Sequence, residues 1–171
     1  RQMIDRSLLR LDGMRKLIFD LLDLTRIESG QKARQFATVD VRTIAQRTID
    51  LFTNEATDRK IGITLRAPQP VELMADPSEM EIVLNNLVSN AVKYNRDGGN
   101  VTVAVERKDD VVRIQVADTG IGLTPEESAK LFAEFVRIKN EDTYKIMGSG
   151  LGLSTVRKLA QLYDGDATVK S

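Results

Sequence analysis

The sequence predicts an α+β fold: a two-layer α/β sandwich preceded by one long helix of a helical bundle. Three observations predict it. Apolar residues recur at helical spacing from Met3 to about Ser29. Short strand-like and helix-like runs follow in groups, without the regular alternation of a doubly wound fold. Clusters of Pro, Gly, Asn and Asp separate these runs.

The elements follow in order. In the first helix Ile4, Leu8, Leu11, Ile18 and Leu22 form one apolar stripe, and Met14, Leu17, Leu21 and Leu24 a second. Two stripes suit a helix with neighbours on two sides, as in a bundle. Gly13 weakens it by roughly 1 kcal/mol relative to alanine, and Gly30 suits its C-terminal stop. Residues 31–36 read as a polar linker. Ala37 to Asp40 reads as a short strand. Val41 to about Arg59 reads as an amphipathic helix with Ile44, Ala45, Thr48, Leu51 and Phe52 on one face. Ile61 to Arg66 alternates like a strand, Pro68 and Pro70 mark a loop, and Val71 to Ala75 reads as another strand. Asp76, Pro77 and Glu79 have the layout of a helix start, with a cap, a proline and an acid in the first turn. That helix runs to about Tyr94.

Asn95 to Asn100 is a turn cluster. Val101 to Glu106 and Val111 to Ala117 alternate and form a hairpin around Lys108-Asp109-Asp110. Thr124 caps a short helix opened by Pro125. Arg137 to Met147 is polar and without periodicity, and reads as a mobile loop. Leu153 to Tyr163 is a helix closed by Gly165, and Ala167 to Lys170 starts a last strand.

Composition narrows the function. The chain has 171 residues, enough for one ordinary domain and an appendage. Its 25 Lys and Arg balance 25 Asp and Glu. That balance gives no electrostatic footprint for nucleic acid or anionic lipid. Without cysteine there is neither a disulfide nor a thiolate metal site. No apolar run is long enough to span a membrane, so membrane contact by this fragment is not expected. The opening Arg1-Gln2-Met3-Ile4-Asp5 is no signal peptide. It lies within a helical pattern and reads as part of something longer.

Three short segments carry chemistry. In Asn86-Leu87-Val88-Ser89-Asn90-Ala91-Val92-Lys93-Tyr94, Asn86 and Asn90 share one helix face. An amide oxygen is a neutral ligand suited to Mg²⁺, and Lys93 near that face is a point charge for phosphate. A satisfied structural amide would look the same. In Asp118-Thr119-Gly120-Ile121-Gly122, a carboxylate after a strand accepts from an exocyclic amine, and glycines let the backbone pass a flat ring closely. An ordinary turn has the same sequence. Gly148-Ser149-Gly150-Leu151-Gly152 precedes a helix, where backbone amides and dipole attract phosphate. It follows a polar loop in place of a buried strand, so it is not a Rossmann fingerprint.

In this order the three segments resemble the catalytic, ATP-binding domain of sensor histidine kinases. Asn86–Tyr94 is similar to the N box, Asp118–Gly122 to the G1 box, Leu131-Phe132-Ala133-Glu134-Phe135 to the F box, and Gly148–Gly152 to the G2 box. The leading helix, with its exit Leu24-Thr25-Arg26-Ile27-Glu28-Ser29-Gly30, resembles the second helix of the dimerisation and histidine-phosphotransfer domain. The resemblance implies residues 1–30 as that partial domain, 31–36 as linker and 37–171 as the catalytic domain of the histidine kinase, gyrase and chaperone ATPase fold.

It implies ATP and Mg²⁺ as cofactors, with Asn90 as metal ligand supported by Asn86. Lys93 and Arg137 would contact phosphate, and Tyr94 would lie beside base or ribose. Asp118 would bind the adenine amine, with Gly120 and Gly122 lining the base pocket. Gly148, Gly150, Leu151 and Gly152 would wrap the phosphates, and Phe132 and Phe135 would fix a lid to the core. The implied partners are a second copy of the parent chain and a response-regulator receiver domain, in a cytoplasmic setting. The implied reaction is transfer of the γ-phosphoryl group to a histidine. A pseudokinase that binds ATP without transfer shares the same boxes.

Position 86 separates relatives. Gyrase-like ATPases carry a glutamate there as general base for water; Asn86 cannot take a proton. The chain also has no histidine, so the acceptor lies outside it. The family commonly ends the last helix in His-Gly-Gly, where this chain has Tyr163-Asp164-Gly165. Its last strand usually meets a further partner beyond the position of Ser171, so one sheet edge is expected to be incomplete.

Overall fold

The computed structural model describes Leu11, Met14, Arg15, Leu17, Ile18, Leu21, Leu22, Thr25, residues 34–138, Thr143, Ile146 and residues 148–171. The chain divides into two compact units, one of which is Arg34–Gly122 and the other the remainder. The described residues between Leu11 and Thr25 are all helical, and Leu11, Met14, Leu17, Ile18, Leu21 and Leu22 are exposed. The remainder of the predicted first helix, including Gly13 and Gly30, lies outside the described residues, as does the linker before Arg34.

In the Arg34–Gly122 unit the elements are β1 (Ala37–Asp40), α1 (Val41–Asp58), β2 (Gly62–Arg66), β3 (Glu72–Ala75), α2 (Pro77–Lys93), β4 (Asn100–Lys108) and β5 (Val111–Asp118). β1 pairs antiparallel with β3, Ala37 opposite Ala75. The other sheet has the order β2-β4-β5. β2 runs parallel to β4 with Gly62 opposite Asn100, and β4 and β5 form the predicted hairpin with Lys108 opposite Val111. Only Asp109 and Asp110 remain for the turn, and Asp109 takes φ 55. Aspartate tolerates this left-handed conformation better than most side chains.

A parallel pair needs a long crossover. Between β2 and β4 the chain makes β3 and α2, so the asparagine-bearing helix belongs to that crossover. α1 and α2 pack on one another and on this sheet, giving the two layers. Every second residue of β4 faces the helices: Val101, Val103 and Val105 are buried. From the helices Val41, Ile44, Ala45, Ile49, Leu84, Val88 and Val92 are buried too. Each valine, isoleucine or leucine among them contributes roughly 1.5–3 kcal/mol of burial.

α1 corrects one expectation. Helical spacing puts Leu51 on its inner face, but Leu51 is 71% exposed, while Ile49 and Ala56 are buried. The inner stripe runs through Ile44-Ala45-Thr48-Ile49, and two further residues turn the chain by about 200°, away from the sheet.

In the other unit α3 (Pro125–Lys130) opens with a full capping box. Thr124 accepts from Glu127 N–H, and Glu127 accepts from Thr124 N–H. α4 (Gly152–Leu162) buries Ser154, Thr155, Val156 and Leu159. Gly165 N–H closes it on Ala160 O at 2.9 Å. The predicted strand at Ala167–Lys170 does not form. A strand exists only in a ladder, and here Arg157 holds Asp166 at 3.0 Å, tying the segment to α4 instead. Phe132 and Phe135 lie in turns after α3. Phe135 is 59% exposed at φ 59, whereas Phe132 is half-buried with the Arg157 guanidinium 5.5 Å from its ring centre.

Candidate functional site

α2 starts because Asp76 caps it. Its carboxylate accepts from Ser78 N–H at 2.9 Å, and Pro77 follows at a position where no N–H is required. Leu84, Val88, Ala91 and Val92 then bury one face, which leaves Asn86, Asn90 and Lys93 half-buried along another. Asn86 Nδ2 donates to Ile82 O at 2.9 Å, so its carbonyl oxygen is the end turned away from the helix backbone. Among the described residues no group of three or more His, Cys, Asp or Glu could hold a metal. An amide oxygen pair of this kind fits Mg²⁺ only with phosphate and water completing the shell, which is the usual habit of that ion.

At its C-terminus α2 meets the Asp118 turn. Tyr94 O accepts Ile121 N–H at 3.2 Å. A Cβ on Gly120 would lie 2.4 Å from Tyr94 O, so only glycine allows the approach. Asp118 Oδ1 accepts Gly120 N–H at 2.8 Å, which fixes the carboxylate and directs its second oxygen elsewhere. Gly122 takes φ 73, a left-handed conformation that glycine adopts without strain. Asn86, Asn90, Lys93, Tyr94, Asp118, Gly120 and Gly122 are thus brought together within one unit by α2 and the end of β5.

The second unit carries the remaining candidates. Gly150 has φ +75, and a Cβ there would come within 2.9 Å of Val136 O. Leu151 is fully buried and precedes α4. Among the described residues no side chain caps this helix, and the first N–H groups of a helix have no partner within it, the arrangement that attracts phosphate. Gly148 is exposed and lies in the same run. Arg137 Nη2 donates to Ile146 O at 2.5 Å. Of the segment expected to be a lid, Arg137, Ile138, Thr143 and Ile146 are described, the rest lying outside. Thr143 is buried, with its hydroxyl on Ile138 O at 2.7 Å.

A family model described as "Histidine kinase-, DNA gyrase B-, and HSP90-like ATPase" matches residues 75–171. The chain belongs to this ATPase family. Within the family it is a catalytic, ATP-binding domain of the sensor histidine kinase type, as the four boxes imply. It is 34% identical over 153 residues to the non-motile and phage-resistance protein of Caulobacter vibrioides, covering 87% of this chain and 18% of that protein. It is 29% identical over 171 residues to the sensor-like histidine kinase SenX3 of Mycobacterium tuberculosis, covering all of this chain and 42% of the relative. The chain therefore spans less than half the length of these relatives. Among solved structures it resembles full-length ShkA in complex with AMPPNP, with TM-score 0.75 and 27% identity over 94% of this chain and 34% of that one. The ThkA kinase in complex with the response regulator TrrA shares the fold, with TM-score 0.74 and 21% identity over 96% of this chain and 45% of that one.

Sequence reasoning missed Arg59, Asn95 and Thr119, which tie the end of α2 to the Asp118 turn. Asn95 is 4% exposed. A polar residue in a turn cluster carries no sign of burial, and Arg59 acts on backbone carbonyls, which leave no trace in side-chain spacing.

Proposed function

We propose that this domain holds Mg-ATP and donates its γ-phosphoryl group to a histidine supplied outside this sequence, for relay to a receiver-domain aspartate. In that step an imidazole nitrogen bonds to the γ-phosphorus as the bond to the β–γ bridging oxygen breaks, and ADP leaves. The observation that carries the reading is Asn86. Its amide lies on the site face of α2 with Nδ2 spent on Ile82 O, where a water-activating relative needs a proton acceptor. The protein then protects ATP from water and contributes by positioning and charge.

Asn90, with Asn86 beside it, would hold Mg²⁺, which would neutralise phosphate charge when bound. In the Arg34–Gly122 unit Lys93 would face phosphate oxygens; in the other unit Arg137 and the amides of Gly148, Gly150, Leu151 and Gly152 would bind phosphate. Tyr94, Gly120 and Gly122 would border the base that Asp118 reads. The likeness to a kinase solved with its response regulator supports a receiver domain as partner, and the exposed apolar helix positions support a second copy of the parent chain. A cytoplasmic setting follows from the ATP supply; among the described residues no helix is long and apolar enough to cross a membrane.

Titration calorimetry with Mg-ATP tests the reading. Asn90→Ala and Asp118→Ala should each weaken binding by about tenfold or more, the loss of one charge-assisted contact. Unchanged affinity in both variants overturns the site. The chain alone should form no phosphohistidine, since it contains no histidine, and should hydrolyse ATP only slowly.

A further inference from the structure

Asn95 is a buried hub. Its Oδ1 accepts from Arg96 N–H at 2.9 Å and from the Thr119 hydroxyl at 3.2 Å, and its Nδ2 donates to Asn100 O at 3.1 Å. The Thr119 hydroxyl in turn accepts Asn100 N–H at 2.8 Å. One side chain thus joins the exit of α2, the start of β4 and the turn that follows Asp118. The hub leaves no room beside it: a Cβ on Gly99 would lie 2.2 Å from Asn95 Oδ1 and 2.7 Å from Thr119 Oγ1.

Arg59, the residue that closes α1, holds the hub from behind. Nη1 donates to Val92 O at 2.6 Å and Lys93 O at 3.3 Å, and Nη2 donates to Asn95 O at 2.6 Å. Nε pairs with Asp97 at 2.9 Å. The last carbonyls of a helix have no partners within it, and a planar fork of donors suits them better than a lysine would. The guanidinium therefore fixes the α2 exit at Lys93 and Asn95, while Asn95 fixes Thr119.

We propose that Asn95, backed by Arg59, is a positioning residue for base selectivity, acting on Asp118 through Thr119. The inference rests on the nucleotide reading above. A carboxylate is acceptor-only, and Oδ1 of Asp118 is already engaged by Gly120 N–H. Its second oxygen matches an exocyclic amine and opposes a carbonyl oxygen at the same place on the ring. That discrimination depends on where the turn is held, because lone-pair repulsion and hydrogen bonding both change steeply with small displacements.

The test compares ATP with inosine triphosphate, which carries a carbonyl where ATP carries the amine, by competition binding. Wild-type protein should prefer ATP. Asn95→Ala and Arg59→Met should lower that preference by about tenfold, chiefly through loss of ATP affinity. Thr119→Val removes only the bridging hydroxyl from an exposed residue, so it keeps the test open if Asn95→Ala fails to fold. A folded Thr119→Val protein with an unchanged ATP to inosine triphosphate ratio overturns the inference alone. Equal weakening of both nucleotides overturns it too, since that is what a merely structural role gives. Wild-type protein that binds neither nucleotide overturns the nucleotide reading and this inference together.

Discussion

Arg34 and Glu79, 45 positions apart, form a forked ion pair. Arg34 Nε donates to Glu79 Oε1 at 2.9 Å and Oε2 at 3.1 Å, and Nη2 donates to Oε2 at 2.7 Å. Glu79 lies in the first turn of α2 and is 7% exposed. Beside it Gln35 N–H donates to Asp76, the cap of the same helix, and the Arg34 guanidinium lies 4.6 Å from the Phe36 ring centre. The chain entering this unit is therefore seated on the N-terminus of the helix that bears Asn86 and Asn90.

Removing that arginine takes a forked counter-charge from a buried carboxylate. Arg34→Ala should lower unfolding free energy by about 2 kcal/mol, below the roughly 3–5 kcal/mol of a broken, fully buried pair because Arg34 is partly exposed. Urea denaturation measures it. A change inside about 0.5 kcal/mol would show that the pair acts as an ordinary surface bridge.

Gly120→Ala should abolish nucleotide binding and destabilise the fold together. The added methyl would lie 2.4 Å from Tyr94 O and 2.6 Å from Asp118 Oδ1, so a backbone must shift, at roughly 1–3 kcal/mol. Calorimetry and thermal melting check both halves. Retained affinity would mean that the turn can open without harm to the site.

Asn86→Glu should introduce slow ATP hydrolysis. A well-supported base contributes roughly 10²–10⁴-fold; a carboxylate placed without supporting contacts should recover on the order of tenfold. Steady-state phosphate release with Mg²⁺ measures it. No increase in a variant that still binds ATP would show that position 86 does not face the attacking water.

Asp40 gives a pH dependence. Burial pushes its carboxyl pKa up, but hydrogen bonds from the Thr43 hydroxyl and from the N–H groups of Val71, Arg42 and Thr43 prevail, and the net shift is downward. A pKa lowered on folding means that stability is present above the unfolded value, about 4. It is lost as pH falls through the folded value. Asp40→Asn keeps a capping oxygen but removes the charge. It should flatten the acid limb of stability between about pH 5 and 3 and cost no more than about 1 kcal/mol at neutral pH. Urea midpoints across that range decide it, and an unchanged acid limb would assign the loss to other carboxylates.

Much of this was legible in the residues. Asp76-Pro77 marks the start of α2 by requirements that local chemistry alone imposes. The alternating runs flanking Asp109-Asp110 leave one pairing that keeps Val101, Val103 and Val105 on a common face. Gly120 and Gly150 could be singled out because they interrupt side-chain-bearing runs, and each turned out to face backbone too close for a Cβ. What escaped has a common cause. The parallel pairing of β2 with β4 joins segments far apart in sequence and has no local signature. Leu51 obeys helical spacing, yet the spacing does not say where the neighbouring layer ends. The strand expected at Ala167–Lys170 has strand-like residues, but pairing and not propensity makes a strand. Arg59 spends most of its donors on carbonyls that every residue possesses.

The crossover between β2 and β4 has a thermodynamic consequence. Because α2 lies on the path joining two hydrogen-bonded neighbours, Asn86, Asn90 and Lys93 keep their places only while that sheet is intact. An unfolded chain has no comparable affinity to offer, so occupancy and folding are linked by mass action. Free ligand at a hundred times Kd adds about 2.7 kcal/mol to stability. The melting temperature should therefore climb with nucleotide concentration, and the rise reports affinity without any need for turnover.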